Sequence, residues 1–203
     1  MGARVVIAED EAIIRLDLQE TLEEEGYEVV GATGRGDEAV ELVRDLRPDL
    51  AILDIKMPGM DGIAAAREIA AGRWAAVLIL TAFSQRDLVE RARDAGAITY
   101  IVKPFQKSDL VPAIEIALGR FAELRALEKE VESLEEQLVT RRVVERARGA
   151  LMDRFGMSEA DAFSFLQQTA MRRRTKMRAV AEEVLEGTLQ PDQPSADPGT
   201  RTP

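Results

Sequence analysis

Cysteine and histidine are both missing from this chain of 203 residues, and each absence closes off chemistry. Without cysteine there is no disulfide framework and no thiolate nucleophile, which fits a protein of the cytosol. Without histidine there is no Ser–His or Cys–His pair, no imidazole metal ligand and no histidine phosphocarrier. No apolar run approaches the roughly 20 residues that cross a bilayer, so no membrane partner is expected. The opening Met1-Gly-Ala-Arg-Val-Val-Ile-Ala-Glu-Asp10 places acids where a secretory segment would stay apolar. No export signal is read there, and a cytoplasmic location is expected. What is present is 46% apolar and 32% charged residues, the balance of a globular chain with room for one large or two small domains.

The net charge of −10 is unevenly spread. Residues 1–140 carry 16 Lys/Arg against 28 Asp/Glu, whereas residues 141–178 carry 10 against 4. Such asymmetry points to a polyanion-binding segment joined to an acidic module; a helix pair with solvated basic faces is the bland alternative.

Up to about residue 118, strand-like and helix-like patterns alternate. Apolar runs at Val5 to Ala8, Tyr27 to Val30, Leu50 to Asp54, Ala75 to Leu80 and Ile98 to Val102 read as strands. Between them lie helical patterns. In the first, Ala12, Ile13, Leu16 and Glu20 follow a 3.6 period. The others cover about Asp37 to Arg47, Ile63 to Ala71 and Gln85 to Ala95, and a fifth opens at Ser108. Five strands alternating with five helices predict an α/β fold with a parallel sheet covered on both faces. Right-handed crossovers then bring every strand's C-terminal end to one edge.

Candidate chemistry collects at that edge. Glu9 and Asp10 end the first strand and Asp54 the third, followed at once by the turn residues Pro58-Gly59. Taken alone, Asp54 is equally an acid that starts a turn. Three carboxylates at one crevice repel unless a cation sits among them, and hard oxygen ligands with open positions suit Mg²⁺. Thr81 ends the fourth strand and Lys103 the fifth. This set describes phosphoryl transfer to a carboxylate: Asp54 attacks, Mg²⁺ and Lys103 balance the charge, and Thr81 hydrogen-bonds a phosphoryl oxygen. An aspartyl-phosphate hydrolase would want a second acid two residues after its nucleophile, and Lys56 stands there instead. Gly34-Arg-Gly-Asp-Glu-Ala39 matches a dinucleotide fingerprint by letter but follows the second strand, not the first.

Glu9-Asp10, Asp54, Lys56-Met-Pro-Gly-Met-Asp-Gly62, Thr81-Ala82, Tyr100 and Lys103-Pro-Phe105 resemble the receiver domains of bacterial two-component response regulators, over about residues 3–120. The resemblance implies a flavodoxin-like (βα)5 fold with strand order 2-1-3-4-5. It implies that Asp54 takes a phosphoryl group from a sensor histidine kinase and that the Lys56 carbonyl joins Glu9, Asp10 and Asp54 around Mg²⁺. It also implies a cis Lys103-Pro104 bond and a switch formed by Thr81 and Tyr100. By this resemblance the chain is a signalling phosphoacceptor, not an enzyme, apart from Mg-dependent self-phosphorylation and autodephosphorylation. Glu9 departs from the family pattern, where Asp is commoner, and its extra methylene bears on metal affinity.

After Pro112 the pattern stays helical. Leu124, Leu127, Val131, Leu134 and Leu138 step by 3, 4, 3, 4, an a/d seam of little more than two heptads. Glu123 with Glu128 and Glu130 with Glu135 flank it, so a parallel homodimer would face like charges. Three helices are predicted from Arg141 to about Leu185. The first runs to Arg154-Phe155 and stops at Gly156. The second opens at Ser158 with Asp161 as its capping partner. The third follows Arg174-Thr175 and shows Met177, Val180, Ala181, Val184 and Leu185 on one face. A helix-turn-helix reader is disfavoured, because the third helix carries Glu182, Glu183 and Glu186. The basic residues are dispersed instead, which suits the irregular backbone of structured RNA.

Val144-Glu-Arg-Ala-Arg-Gly-Ala-Leu-Met152, Gly156-Met-Ser-Glu159, Ala162-Phe163 and Val180-Ala181 resemble the ANTAR domain, a three-helix RNA-binding module of antitermination regulators. With the receiver, the chain is similar to actinobacterial receiver–ANTAR response regulators. The family implies binding of paired hairpins in leader transcripts, preventing terminator formation, often as a homodimer. Charge and position nominate Arg142, Arg148, Arg173, Arg174 and Lys176 as RNA contacts. The expected organisation is a receiver over 1–120, a helical coiled-coil-like linker over 121–140, a small all-α domain over 141–186 and a disordered tail over 187–203. The alternative is a phosphorylation-controlled module whose helical domain binds a protein partner.

Overall fold

The structure is a computed structural model that describes residues 2–82 and 86–191. Five strands, β1 (Arg4–Ala8), β2 (Glu28–Thr33), β3 (Leu50–Asp54), β4 (Ala76–Thr81) and β5 (Thr99–Val102), form one sheet in the order β2-β1-β3-β4-β5. Every pairing is parallel. Helices α1 (Ala12–Glu24), α2 (Gly36–Leu46), α3 (Gly62–Gly72) and α4 (Arg86–Asp94) connect them, and α5 (Lys107–Phe155) follows β5. The alternation predicted the parallel sheet, and the strand order is the flavodoxin-like one that the resemblance implied.

Both faces of the sheet are covered, which explains why its central strands are apolar at every position. Val6, Ala8, Ala51, Leu53, Val77 and Ile79 point to one side, where they pack with Val40 and Val43 of α2, Ile69 of α3 and Ala92 of α4. The alternate residues Val5, Ile7, Leu50, Ile52, Leu78 and Leu80 meet Leu18 and Leu22 of α1 and Leu110, Ile114 and Ala117 of α5. The residues that mark the helical period of α1 are not its inner face: Ile13 is 84% and Leu16 58% exposed, and the helix buries Leu18 and Leu22. Both stripes have helical spacing, so periodicity alone does not choose between them. The predicted start of α4 at Gln85 lies outside the described residues.

The chain divides into two compact units, residues 1–127 and 128–203. In the second, Val144, Ala147 and Leu151 of α5 pack with Ala162, Leu166 and Ala170 of α6 (Glu159–Arg173) and with Val180, Ala181 and Val184 of α7 (Met177–Glu186). The Ser158 hydroxyl caps α6 by accepting from the Asp161 N–H, as read from the sequence. The helix after β5, the predicted linker and the first C-terminal helix are one continuous element, α5. Its seam residues Leu124, Leu127, Val131, Leu134 and Leu138 are all exposed. Among the described residues no helix is long and apolar enough to cross a membrane. Of the predicted tail, residues 192–203 lie outside the described residues.

Candidate phosphoacceptor site and basic surface

The parallel sheet ends all five strands' outputs at one edge, and neighbouring ladders hold the ends together. The Ile55 N–H donates to the Leu80 carbonyl at 3.3 Å, and the Lys103 N–H donates to the Thr81 carbonyl at 2.7 Å. The loop after Asp54 folds back on it: the Gly62 N–H donates to the Ile55 carbonyl at 2.9 Å, and Asp61 caps α3 by accepting from the Ala64 N–H. A Cβ on Gly62 would lie 1.8 Å from the Asp54 carbonyl oxygen, so only glycine permits this approach.

Glu9, Asp10 and Asp54 each present a carboxylate oxygen to a common space, all within 4.8 Å of one another. Glu9 is fully buried, Asp54 nearly so, and Asp10 is exposed. Lys103 Nζ lies 2.5 Å from Glu9 Oε2 and 2.7 Å from Asp54 Oδ1. The Lys56 N–H donates to Asp54 Oδ2 at 2.8 Å. Asp10, Asp54, Lys56, Thr81 and Lys103 line an open cavity of about 310 Å³. The sequence-predicted set is therefore one site. Tyr100, the second predicted switch residue, is half-exposed on β5. The Lys103–Pro104 peptide is cis.

The charges in this site do not balance. Burial, then the nearby Asp54 charge, raise Glu9 above the ordinary glutamate range despite its bond to Lys103. Burial works against the Lys103 charge as well, yet the Asp54 and Glu9 carboxylates outweigh it and raise its pKa. One ammonium thus faces three carboxylates. All-oxygen donors, an excess of negative charge and an open side make the chemistry of a hard divalent cation, with Glu9, Asp10 and Asp54 as the residues to hold it. Sequence reasoning missed Arg15, whose guanidinium donates to the Glu9 carbonyl from one turn into α1. The single basic residue of that helix was the available signal. Gly36, part of the dinucleotide-like string, is explained by packing, since a Cβ there would lie 2.0 Å from the Met60 carbonyl oxygen.

The second unit presents the basic residues. Arg148 pairs with Glu145 and Glu159, Arg173 with Glu183, and Lys176 with Glu136. Arg142 and Arg174 are exposed and make no ion pair among the described residues. Arg174 caps α6 in the left-handed conformation.

Comparison with known proteins then decides the family. Residues 5–115 match the response regulator receiver domain and residues 132–185 match the ANTAR domain. The chain is a two-component response regulator. It is 63% identical over 183 residues to the transcriptional regulatory protein PdtaR of Mycobacterium tuberculosis, covering 90% of this chain and 89% of that one. The receiver alone is 43% identical over 115 residues to the chemotaxis protein CheY of Thermotoga maritima, 56% of this chain and 96% of that protein. The receiver domain of a Pseudomonas aeruginosa sensor histidine kinase, solved with a magnesium ion coordinated in its active-site cleft, superposes with a TM-score of 0.54. That match is 29% identical and covers 59% of this chain and 99% of the other. The response regulator thus joins a receiver to an output module of the RNA-binding ANTAR type.

Proposed function

We propose that this response regulator accepts a phosphoryl group on Asp54 from a sensor histidine kinase and thereby controls RNA binding and transcription antitermination through its ANTAR domain. The observation that carries the reading is the Asp54 carboxylate, fixed between Lys103 Nζ and the Lys56 N–H at the floor of an open acidic cavity. An Asp54 oxygen attacks phosphorus as the bond from phosphorus to the donor's imidazole nitrogen breaks, and that nitrogen leaves with the electron pair. Lys103, now shared between Glu9 and Asp54, is placed to turn toward a phosphoryl oxygen, and the Thr81 hydroxyl hydrogen-bonds another. Glu9, Asp10, Asp54 and the Lys56 carbonyl would hold Mg²⁺, which when bound neutralises phosphoryl charge. Thr81 and Tyr100 then carry the change to the receiver surface.

At the other end, Arg142 and Arg174 offer unpaired charge to RNA phosphates. Arg148, Arg173 and Lys176 hold surface ion pairs whose carboxylates exchange for phosphate at little cost. Structured RNA such as leader hairpins fits this dispersed pattern better than duplex DNA does. The exposed a/d seam of α5 is the surface a second copy would cover in a homodimer, against repulsion between its flanking glutamates.

The test is to incubate the protein with a small radiolabelled phosphodonor and Mg²⁺, beside Asp54→Asn. Label on the wild type and none on the variant is expected. Label that survives the substitution would remove Asp54 as acceptor.

A further inference from the structure

The edge of the sheet opposite Asp54 carries a groove of different chemistry. The N-terminal ends of the strands and the segment of α5 around Phe121 enclose a groove of about 810 Å³, within the range of small-molecule pockets. Its rim carries Arg4, Arg47, Arg73 and Arg125, and its aromatic surfaces are Trp74 and Phe121. Only two carboxylates, Glu28 and Asp49, line it. Asp49 accepts from the Arg4 N–H at 2.8 Å. Four arginines have gathered on the module where acids outnumber bases by 28 to 16 over residues 1–140.

Two of these arginines lie over rings. The Arg47 guanidinium lies 5.4 Å from the centre of the Trp74 ring, and that of Arg125 lies 5.8 Å from the Phe121 ring. Arg47 and Arg73 end α2 and α3 in the left-handed conformation, with φ of 48° and 53°, where glycine is the usual residue. Basic residues at helix C-termini have an ordinary electrostatic use. That use does not call for a tryptophan between the two helix ends. Trp74 is the chain's only tryptophan, and its indole is seated against Gly72, where a Cβ would come within 2.2 Å of the ring. Arg47, Arg73 and Arg125 are exposed and Trp74 is half-buried, so the groove is open to a ligand. Arg4 is fixed as part of the wall, donating from Nη1 to the Leu46 carbonyl at 2.9 Å.

We propose that this groove binds a nucleotide unit, with the base stacked on the aromatic wall and the phosphate held by the rim arginines. A flat π-face beside guanidinium groups is how proteins hold single nucleotides of a strand, whereas phosphate alone has no use for the rings. A free nucleotide and an unpaired nucleotide of an RNA strand share this chemistry. The groove shares no residue with the Asp54 site or with residues 141–186, and stands whether or not those act as proposed above.

Trp74 reports on its own ligand. The full-length protein is titrated at low salt with AMP, GMP, a single-stranded ribo-octamer and inorganic pyrophosphate, exciting tryptophan at the red edge of its absorption. Saturable quenching by a mononucleotide identifies a free-nucleotide site, and quenching by the octamer alone identifies an RNA-strand site. In either case an Arg47→Gln, Arg125→Gln double variant, which keeps Trp74, should bind about tenfold more weakly. Arg44→Gln, an exposed arginine of the same unit outside the groove, should bind as the wild type does. No saturable quenching by any nucleotide, equal quenching by pyrophosphate, or affinity unchanged in the double variant would each overturn the proposal.

Discussion

Glu9 and Gly62 show how single residues set the acidic site. Glu9 is buried beside Asp54 with one ammonium between them, and its carboxyl is held above the ordinary value of 4.5. A carboxyl whose folded pKa is raised binds its proton more tightly in the native state, so its contribution to stability falls as pH rises through that window. In metal-free protein, the stability of the wild type relative to Glu9→Gln should therefore increase as pH is lowered toward 4.5. Denaturant melts of both proteins with a chelator across pH 4.5 to 8 measure it, and a flat difference counts against the burial argument. Gly62→Ala should destabilise the receiver by about 1–3 kcal/mol, because its methyl group would press on the Asp54 carbonyl. It should also lower phosphoryl uptake, since the loop that holds Asp54 must shift. The positions of the carboxylates, Thr81 and Lys103 were legible in the sequence because each stands at or just after the end of a strand, and parallel strands end together. Arg15 was not, because a contact made by a helix residue to a backbone carbonyl leaves no motif.

Elements were legible where one rule governed them. Strands with both faces covered read as unbroken apolar runs, and Gly156 and Ser158 marked the turn between α5 and α6. The buried face of α1 was not legible, because its helical period does not say which side is covered, and only the placement of the sheet selects Leu18 and Leu22. Long-range ties between elements left no trace either. The Tyr27 hydroxyl, just before β2, donates to Glu115 Oε1 of α5 at 2.7 Å. Burial first, then this bond and the Glu115 charge, push the phenol up to about 12. A raised folded pKa means that the stabilisation is complete below the ordinary tyrosine value of 10 and is lost as pH rises toward 12. Tyr27→Phe should cost about 1 kcal/mol at neutral pH and remove this alkaline loss, which chemical denaturation at pH 8 to 12 would show. An unchanged alkaline slope in the variant would assign it to other groups.

Across the whole molecule, charge separates two tasks. The acidic receiver brings three of its carboxylates together at one sheet edge, while residues 141–178 carry 10 basic against 4 acidic residues. The composition alone revealed that division. Which basic residues are free was not legible, because pairs such as Arg148 with Glu159 or Lys176 with Glu136 bring together residues distant in sequence. The central claim is that phosphate on Asp54 governs RNA binding by the ANTAR domain. Its most direct test is the affinity of the full-length protein for a leader hairpin, measured before and after phosphorylation with Mg²⁺ and a small phosphodonor, at fixed salt. The wild type should gain about tenfold, within the usual range of allosteric coupling, and Asp54→Asn should gain nothing. Equal affinity in both states of the wild type, or the same gain in Asp54→Asn, would contradict the account.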